Sequence, residues 1–133
     1  MKKVVLDTNI VISSAISAGG NPSAIMELAS AMLIQVYYND EILDEYKRVL
    51  AYERLKIERE KQEEIIEKII SIGTFIKPKS SSISLPDESD RIFYDTAQAA
   101  EAILVTGNIK HYPSESFIMS PADYCQRLIE SGR

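Results

Sequence analysis

The chain has 133 residues, of which 45% are hydrophobic and 26% charged, the balance of one globular domain over residues 1–133 around a single core. Fifteen Lys and Arg against twenty Asp and Glu leave a formal charge of -5, which excludes wholesale capture of nucleic acid by a basic surface. Cys125 is the single cysteine, so no internal disulfide framework forms and a cytoplasmic location is the default expectation.

Near the amino terminus, Val4-Val5-Leu6 runs into Asp7, far short of a signal h-region or a membrane span. A short apolar run without alternation predicts a strand covered on both faces in a parallel sheet, with Asp7-Thr8-Asn9 at its carboxyl end. Gly19-Gly20-Asn21 breaks the chain, and Pro22 opens a helix carrying Ile25, Leu28, Ala29 and Met32. Val36-Tyr37-Tyr38 reads as a second strand. Asn39 is then the expected N-cap of a helix on which Ile42, Glu45, Tyr46 and Val49 share the inward stripe.

From Lys47 to Lys68, seven Lys or Arg and six Glu interleave with isoleucines, which predicts a helical hairpin with a solvated charged face. Its members Lys47, Arg48, Arg54, Lys56 and Arg59 are the best local candidates for phosphate contacts, but their acidic neighbours favour a solvated face. Gly73 ends the hairpin, Thr74-Phe75-Ile76 is a short strand, and the loop Pro78 to Ser82 leads to Asp87-Glu88-Ser89-Asp90. Ser89 is the expected cap of a helix bearing Ile92, Phe93, Thr96, Ala97 and Ala100. Ala102 to Thr106 and Phe117 to Met119 are the last strands, and Ser120-Pro121-Ala122-Asp123 has the cap, proline and acid of a terminal helix. Alternation of strand and helix predicts an open α/β sheet.

In such sheets ligands bind beyond the carboxyl ends of parallel strands, where Asp7 and Asn108 fall. Asp90 and Asp95 diverge by roughly 140° around their helix, and Asp90 has the easier path into that site. Carboxylates converging in one cleft stay ionised around a divalent cation with oxygen ligands, so Mg²⁺ or Mn²⁺ and hydrolysis of a phosphodiester are the implied chemistry. Neutralising Asp7, Glu45, Asp90 and Asp95 takes the formal charge from -5 to -1, which admits local attraction of phosphate. A covalent nucleophile has little support: Cys125 lies in a helix away from the strand ends, and His111 is the only histidine.

The ordered set Val4-Val5-Leu6-Asp7-Thr8-Asn9, Glu41-Ile42-Leu43-Asp44-Glu45-Tyr46, Asp87-Glu88-Ser89-Asp90-Arg91-Ile92-Phe93 and Leu104-Val105-Thr106-Gly107-Asn108 resembles the PIN domain family over nearly the whole chain. Within it, the likeness is to small prokaryotic VapC-like toxins of toxin–antitoxin pairs. The resemblance implies a three-layer α/β/α sandwich with a central, mostly parallel sheet. It also implies a metal-dependent endoribonuclease with an RNA substrate, a cognate antitoxin and, as among relatives, a homodimer. Asp7, Glu45 and Asp90 look like the first three family acids. Asn108 stands where many members have Asp, which removes a charge and leaves open one metal or two. Asp95 matches an acid often found in the following helix.

Thr8, Asn9 and Thr106 are candidates to orient the acids, or simply to cap helices. Lys110, His111 and Tyr112 are candidates for contact with RNA phosphate or bases. The competing readings are an inactive PIN-like RNA-binding or scaffold module, which Asn108 favours, and a receiver domain. The latter wants an acidic pair after the first strand, where this chain has Asp7 followed by Thr8-Asn9.

Overall fold

The computed structural model describes residues 2–131. Five parallel strands, β1 (Lys2–Leu6), β2 (Ile34–Tyr38), β3 (Thr74–Phe75), β4 (Ile103–Val105) and β5 (Ile118–Met119), lie in the order β3-β2-β1-β4-β5. Val4 pairs with both Val36 and Ile103, so β1 is the central strand, and Val4, Val5 and Leu6 are fully buried. That burial on both faces is why the run carries no polar alternation.

Around the sheet pack α1 (Thr8–Ile16), α2 (Asn21–Ser30), α3 (Asp40–Leu50), α4 (Arg59–Ile72), α5 (Arg91–Ala100) and α6 (Pro121–Ser131). The chain moves outward from β1 to β3, then returns to the other side of β1 for β4. Right-handed crossovers therefore send α5 to the sheet face opposite α2 and α4, giving the three layers, while α3 touches both α1 and α5. α5 contacts β1, β2 and β4, whereas α2 and α4 contact β2 and α6 rests on α2. None of the described helices is long and apolar enough to cross a membrane.

Local chemistry fixes the ends of these elements. Asn39 caps α3 by accepting from the Ile42 amide at 3.0 Å, and its side-chain nitrogen donates to Thr96 on α5 at 2.9 Å and to the Ile76 carbonyl at 3.2 Å. One buried amide thus ties three segments together. Ser120 caps α6 through the Asp123 amide at 3.0 Å. Gly73 closes α4 where an added Cβ would meet the Ile69 carbonyl and the Tyr38 ring, both at 2.7 Å. The predicted hairpin is α3 and α4, separated by a 3₁₀ turn at Glu53–Leu55.

Two details differ from expectation. Helix α1 has no counterpart in the sequence pattern: Ile10, Val11, Ile12 and Ala15 are all buried, so its apolar surface wraps too far round for a period to show. Nor does Ser89 cap α5. Asp87 accepts from both the amide and the hydroxyl of Ser89, which winds Glu88–Asp90 into a 3₁₀ turn and leaves Asp90 in the cap position.

Candidate functional site

The reversal of strand order falls between β1 and β4, and the residues leaving those strands, Asp7 and Thr106, meet there. The Asp7 amide donates to the Val105 carbonyl at 3.0 Å, continuing the ladder one residue beyond the strands. The Asp7 side chain is buried. Its Oδ1 accepts from the Thr8 amide at 2.7 Å and so caps α1; its Oδ2 accepts from the Thr106 hydroxyl at 2.7 Å and the Tyr112 hydroxyl at 2.9 Å. Thr106 in turn accepts from the Asn108 amide at 2.9 Å.

Burial first, and the Asp7 charge second, push the Tyr112 phenol far above its ordinary range, so it remains a donor. Tyr46 is raised by the same two causes, and its hydroxyl donates to the Leu6 carbonyl at 2.5 Å just before Asp7. With both lone pairs of Oδ2 engaged and one on Oδ1, a single in-plane position on Asp7 remains for another ligand.

Asp90 enters the same neighbourhood from the start of α5. Its side chain is only 14% exposed, and its Oδ2 is buried without a hydrogen-bond partner. Burial, then the charges of Asp7 and Asp87, raise its carboxyl to about 6, with His111 opposing the rise. His111 Nδ1 lies 3.3 Å from Oδ2, within ion-pair range when the imidazole is protonated. Asp87, at the rim, is held below the usual carboxylate range by its two Ser89 bonds, helped by the charges of His111 and Arg48.

The remaining candidate residues take other partners. Glu45 is gripped by Arg48, which donates from Nε to Oε1 at 3.0 Å and from Nη2 to Oε2 at 2.9 Å. Asp95, diverging from Asp90 as helix geometry requires, accepts from the Ser81 amide at 3.0 Å through Oδ2, while its buried Oδ1 has no partner. It lines a recess with Glu41, Ser80, Ser89 and Arg91. Asn9 accepts from the Gly107 amide at 2.8 Å, and the Thr8 hydroxyl oxygen is buried without a partner. The side chains of Asn108 and Lys110 are exposed.

Tyr112, read from sequence as a nucleic-acid contact, is instead buried against Asp7. Sequence reasoning assigns Tyr46 to the core and gives it no part in the site, although its place on the inward stripe of α3 is the available signal.

A divalent cation suits this pair. The charge of Asp7 is close enough to help raise the Asp90 carboxyl, and one buried Asp90 oxygen accepts no hydrogen bond. Among the described residues no group of three or more His, Cys, Asp and Glu is assembled for a metal. That is compatible with Mg²⁺, which often uses one or two carboxylates and completes its shell with water.

Sheet order and acid pair define an α/β domain that gathers carboxylates at its switch point. Residues 3–110 match the PIN domain family. An uncharacterized protein of Methanocaldococcus jannaschii is 31% identical over 109 residues, 80% of this chain and 70% of that one. The crystal structure of VapBC2 from Rickettsia felis, bound to a DNA fragment from their promoter, matches with a TM-score of 0.58 over 89% of this chain and 96% of that chain, at 16% identity. The chain belongs to the PIN domain family, whose members are generally nucleases that use divalent metal ions.

Proposed function

We propose that the protein is a Mg²⁺- or Mn²⁺-dependent endoribonuclease, the toxin of a cytoplasmic toxin–antitoxin pair. The observation that carries the nuclease reading is the Asp7–Asp90 pair at the β1/β4 switch point, with Asp90 Oδ2 buried and unbonded. Asp7, through its remaining lone pair, and Asp90 would hold the ion, with Glu45 and Asn108 as additional oxygen donors. When bound, such an ion activates water and offsets charge on a phosphodiester. Thr106, Tyr112 and Thr8 fix the Asp7 carboxylate, and His111 Nδ1 lies 3.3 Å from Asp90 Oδ2. Likeness of fold to the VapBC2 structure supports the toxin reading and hence a protein antitoxin as partner. Exposed Met32, Leu33 and Ile70 offer apolar surface for a homodimer, which a solution mass that rises with concentration would support and a constant monomer mass would exclude.

Cleavage of a pooled, labelled RNA with Mn²⁺, Mg²⁺ or chelator tests the activity, with Asp7→Asn and Asp90→Asn purified identically as controls against contaminating ribonuclease. Metal-dependent cutting that both substitutions abolish supports the proposal. Cutting that survives them, or that ignores the chelator, overturns it. Asn108 in place of an acid favours a second reading, an RNA-binding module without turnover, and binding without cleavage would move that reading ahead.

A further inference from the structure

Arg48 stands at the edge of the acidic site holding a carboxylate that the family pattern assigns to the metal. Besides its two-oxygen grip on Glu45, it donates from Nη1 to the Tyr52 hydroxyl, leaving a second Nη1 hydrogen without an acceptor among the described residues. The Arg48 side chain is 56% exposed and that of Glu45 17%, so the guanidinium fork meets solvent while the carboxylate lies beneath it. Arg48 also acts on Asp87, which in turn acts on Asp90. A second guanidinium, that of Arg54, lies 4.8 Å from the centre of the Tyr52 ring, and that of Arg48 lies 5.6 Å from it.

Three neighbouring cations are engaged elsewhere. Arg59 pairs with Glu63 at 3.5 Å, Lys61 donates to the Ala15 carbonyl at 2.7 Å, and Arg91 is bound to Glu88, Ser81 and Ile83. Arg48 and Arg54, both over the Tyr52 ring, bring two guanidinium groups and an aromatic side chain together beside Glu45. Arginine forks bind phosphate through two oxygens as they bind carboxylate, and an aromatic face accepts a stacked base of any identity. Glu45 occupies the place on Arg48 that a backbone phosphate would take.

We infer that Arg48, Tyr52 and Arg54 form a binding element for single-stranded RNA beside the acid pair, and that Arg48 exchanges Glu45 for a backbone phosphate when the strand arrives. This rests on RNA being the substrate of the proposed nuclease. The exchange also releases Glu45 toward the metal only when RNA is in place, which couples substrate binding to completion of the site.

Fluorescence anisotropy of a labelled single-stranded RNA in chelator reads the exchange without cleavage. Arg48→Ala and Arg54→Ala are each expected to weaken binding about tenfold and to flatten the dependence of log K on log salt by about 0.7 for each phosphate no longer neutralised. Arg48→Lys, which keeps the charge without the fork, should recover only part of the affinity. Glu45→Gln should tighten binding, and the gain should vanish in the Arg48→Ala background, which separates competition for Arg48 from simple loss of a negative charge. Arg127→Ala, on α6, is the control and should leave affinity within about twofold. Parent-like binding by Arg48→Ala, an equal loss in Arg127→Ala, or a Glu45→Gln gain that persists without Arg48 overturns the inference. If RNA binds in the expected pattern but is never cut, the nuclease reading fails and the binding element stands. If RNA is cut with metal while Arg48→Ala binds like the parent, the binding element fails alone.

Discussion

Tyr112 donates its hydroxyl to Asp7 Oδ2 at 2.9 Å across 105 residues of sequence, closing the turn after β4 onto the end of β1. The phenol is buried and so is the carboxylate, and each satisfies the other. Tyr112→Phe removes the donor while keeping the ring. Loss of a buried hydrogen bond to a charged group should cost about 1.5–3 kcal/mol, read by urea unfolding, and should leave Asp7 less firmly oriented for metal. Parent-like stability and metal affinity in this variant would mean that Thr106 and Thr8 alone hold the carboxylate.

Asp90 gives the protein a stability cost that depends on pH. Its folded carboxyl is raised from 3.8 to about 6, so between those values the folded state binds the proton more tightly than the unfolded chain. Stability from this group is therefore lost as pH rises through that window, and the full penalty is present above it. In chelator, Asp90→Asn should unfold at higher temperature than the parent near neutral pH, with the gain shrinking as pH falls toward 4. Thermal melts across the range check this, and a gain independent of pH would contradict it.

Asp95 and Arg91 strap the serine-rich loop to α5. Asp95 takes the Ser81 amide, and Arg91 takes the Ser81 and Ile83 carbonyls at 2.9 and 2.6 Å. Asp95→Ala and Arg91→Ala should each speed limited proteolysis between Pro78 and Leu85, at a stability cost of about 1–2 kcal/mol. Cleavage there at the parent's rate would show that the loop is held by other contacts.

Asn39 joins α3, α5 and the segment after β3. Asn39→Ala removes a helix cap and leaves the fully buried Thr96 hydroxyl without the side-chain nitrogen that faces it, so a loss of about 2–3 kcal/mol is expected in equilibrium unfolding. A loss below about 0.5 kcal/mol would indicate that the segments are joined by packing alone.

What is legible in the sequence is what depends on neighbours in the chain. Val4-Val5-Leu6 and Leu104-Val105 announce a sheet covered on both faces, and Asn39 and Ser120 announce helix starts, because those signals lie within a few residues. Helix α1 escapes such reading because its buried residues Ile10, Val11, Ile12 and Ala15 spread over more than half of its circumference, and the α5 cap moves because Asp87 captures Ser89 before the helix begins. In the site, Asp7 and Asp90 stand out at a strand end and a helix start. Their supports do not: Tyr112 reaches Asp7 only through the tertiary fold. The capture of Glu45 by Arg48 is visible as an oppositely charged i,i+3 pair, but spacing cannot tell whether such a pair faces solvent or borders a site.

That Asp7 and Asp90 together form the metal centre is tested most directly by calorimetric titration of the full chain with Mn²⁺. Parent protein should bind the ion, Asp7→Asn and Asp90→Asn should each weaken binding at least about tenfold, and Asp95→Asn should bind like the parent. Unchanged affinity in Asp90→Asn, or a loss in Asp95→Asn as large as in Asp7→Asn, would contradict this assignment and place the metal elsewhere.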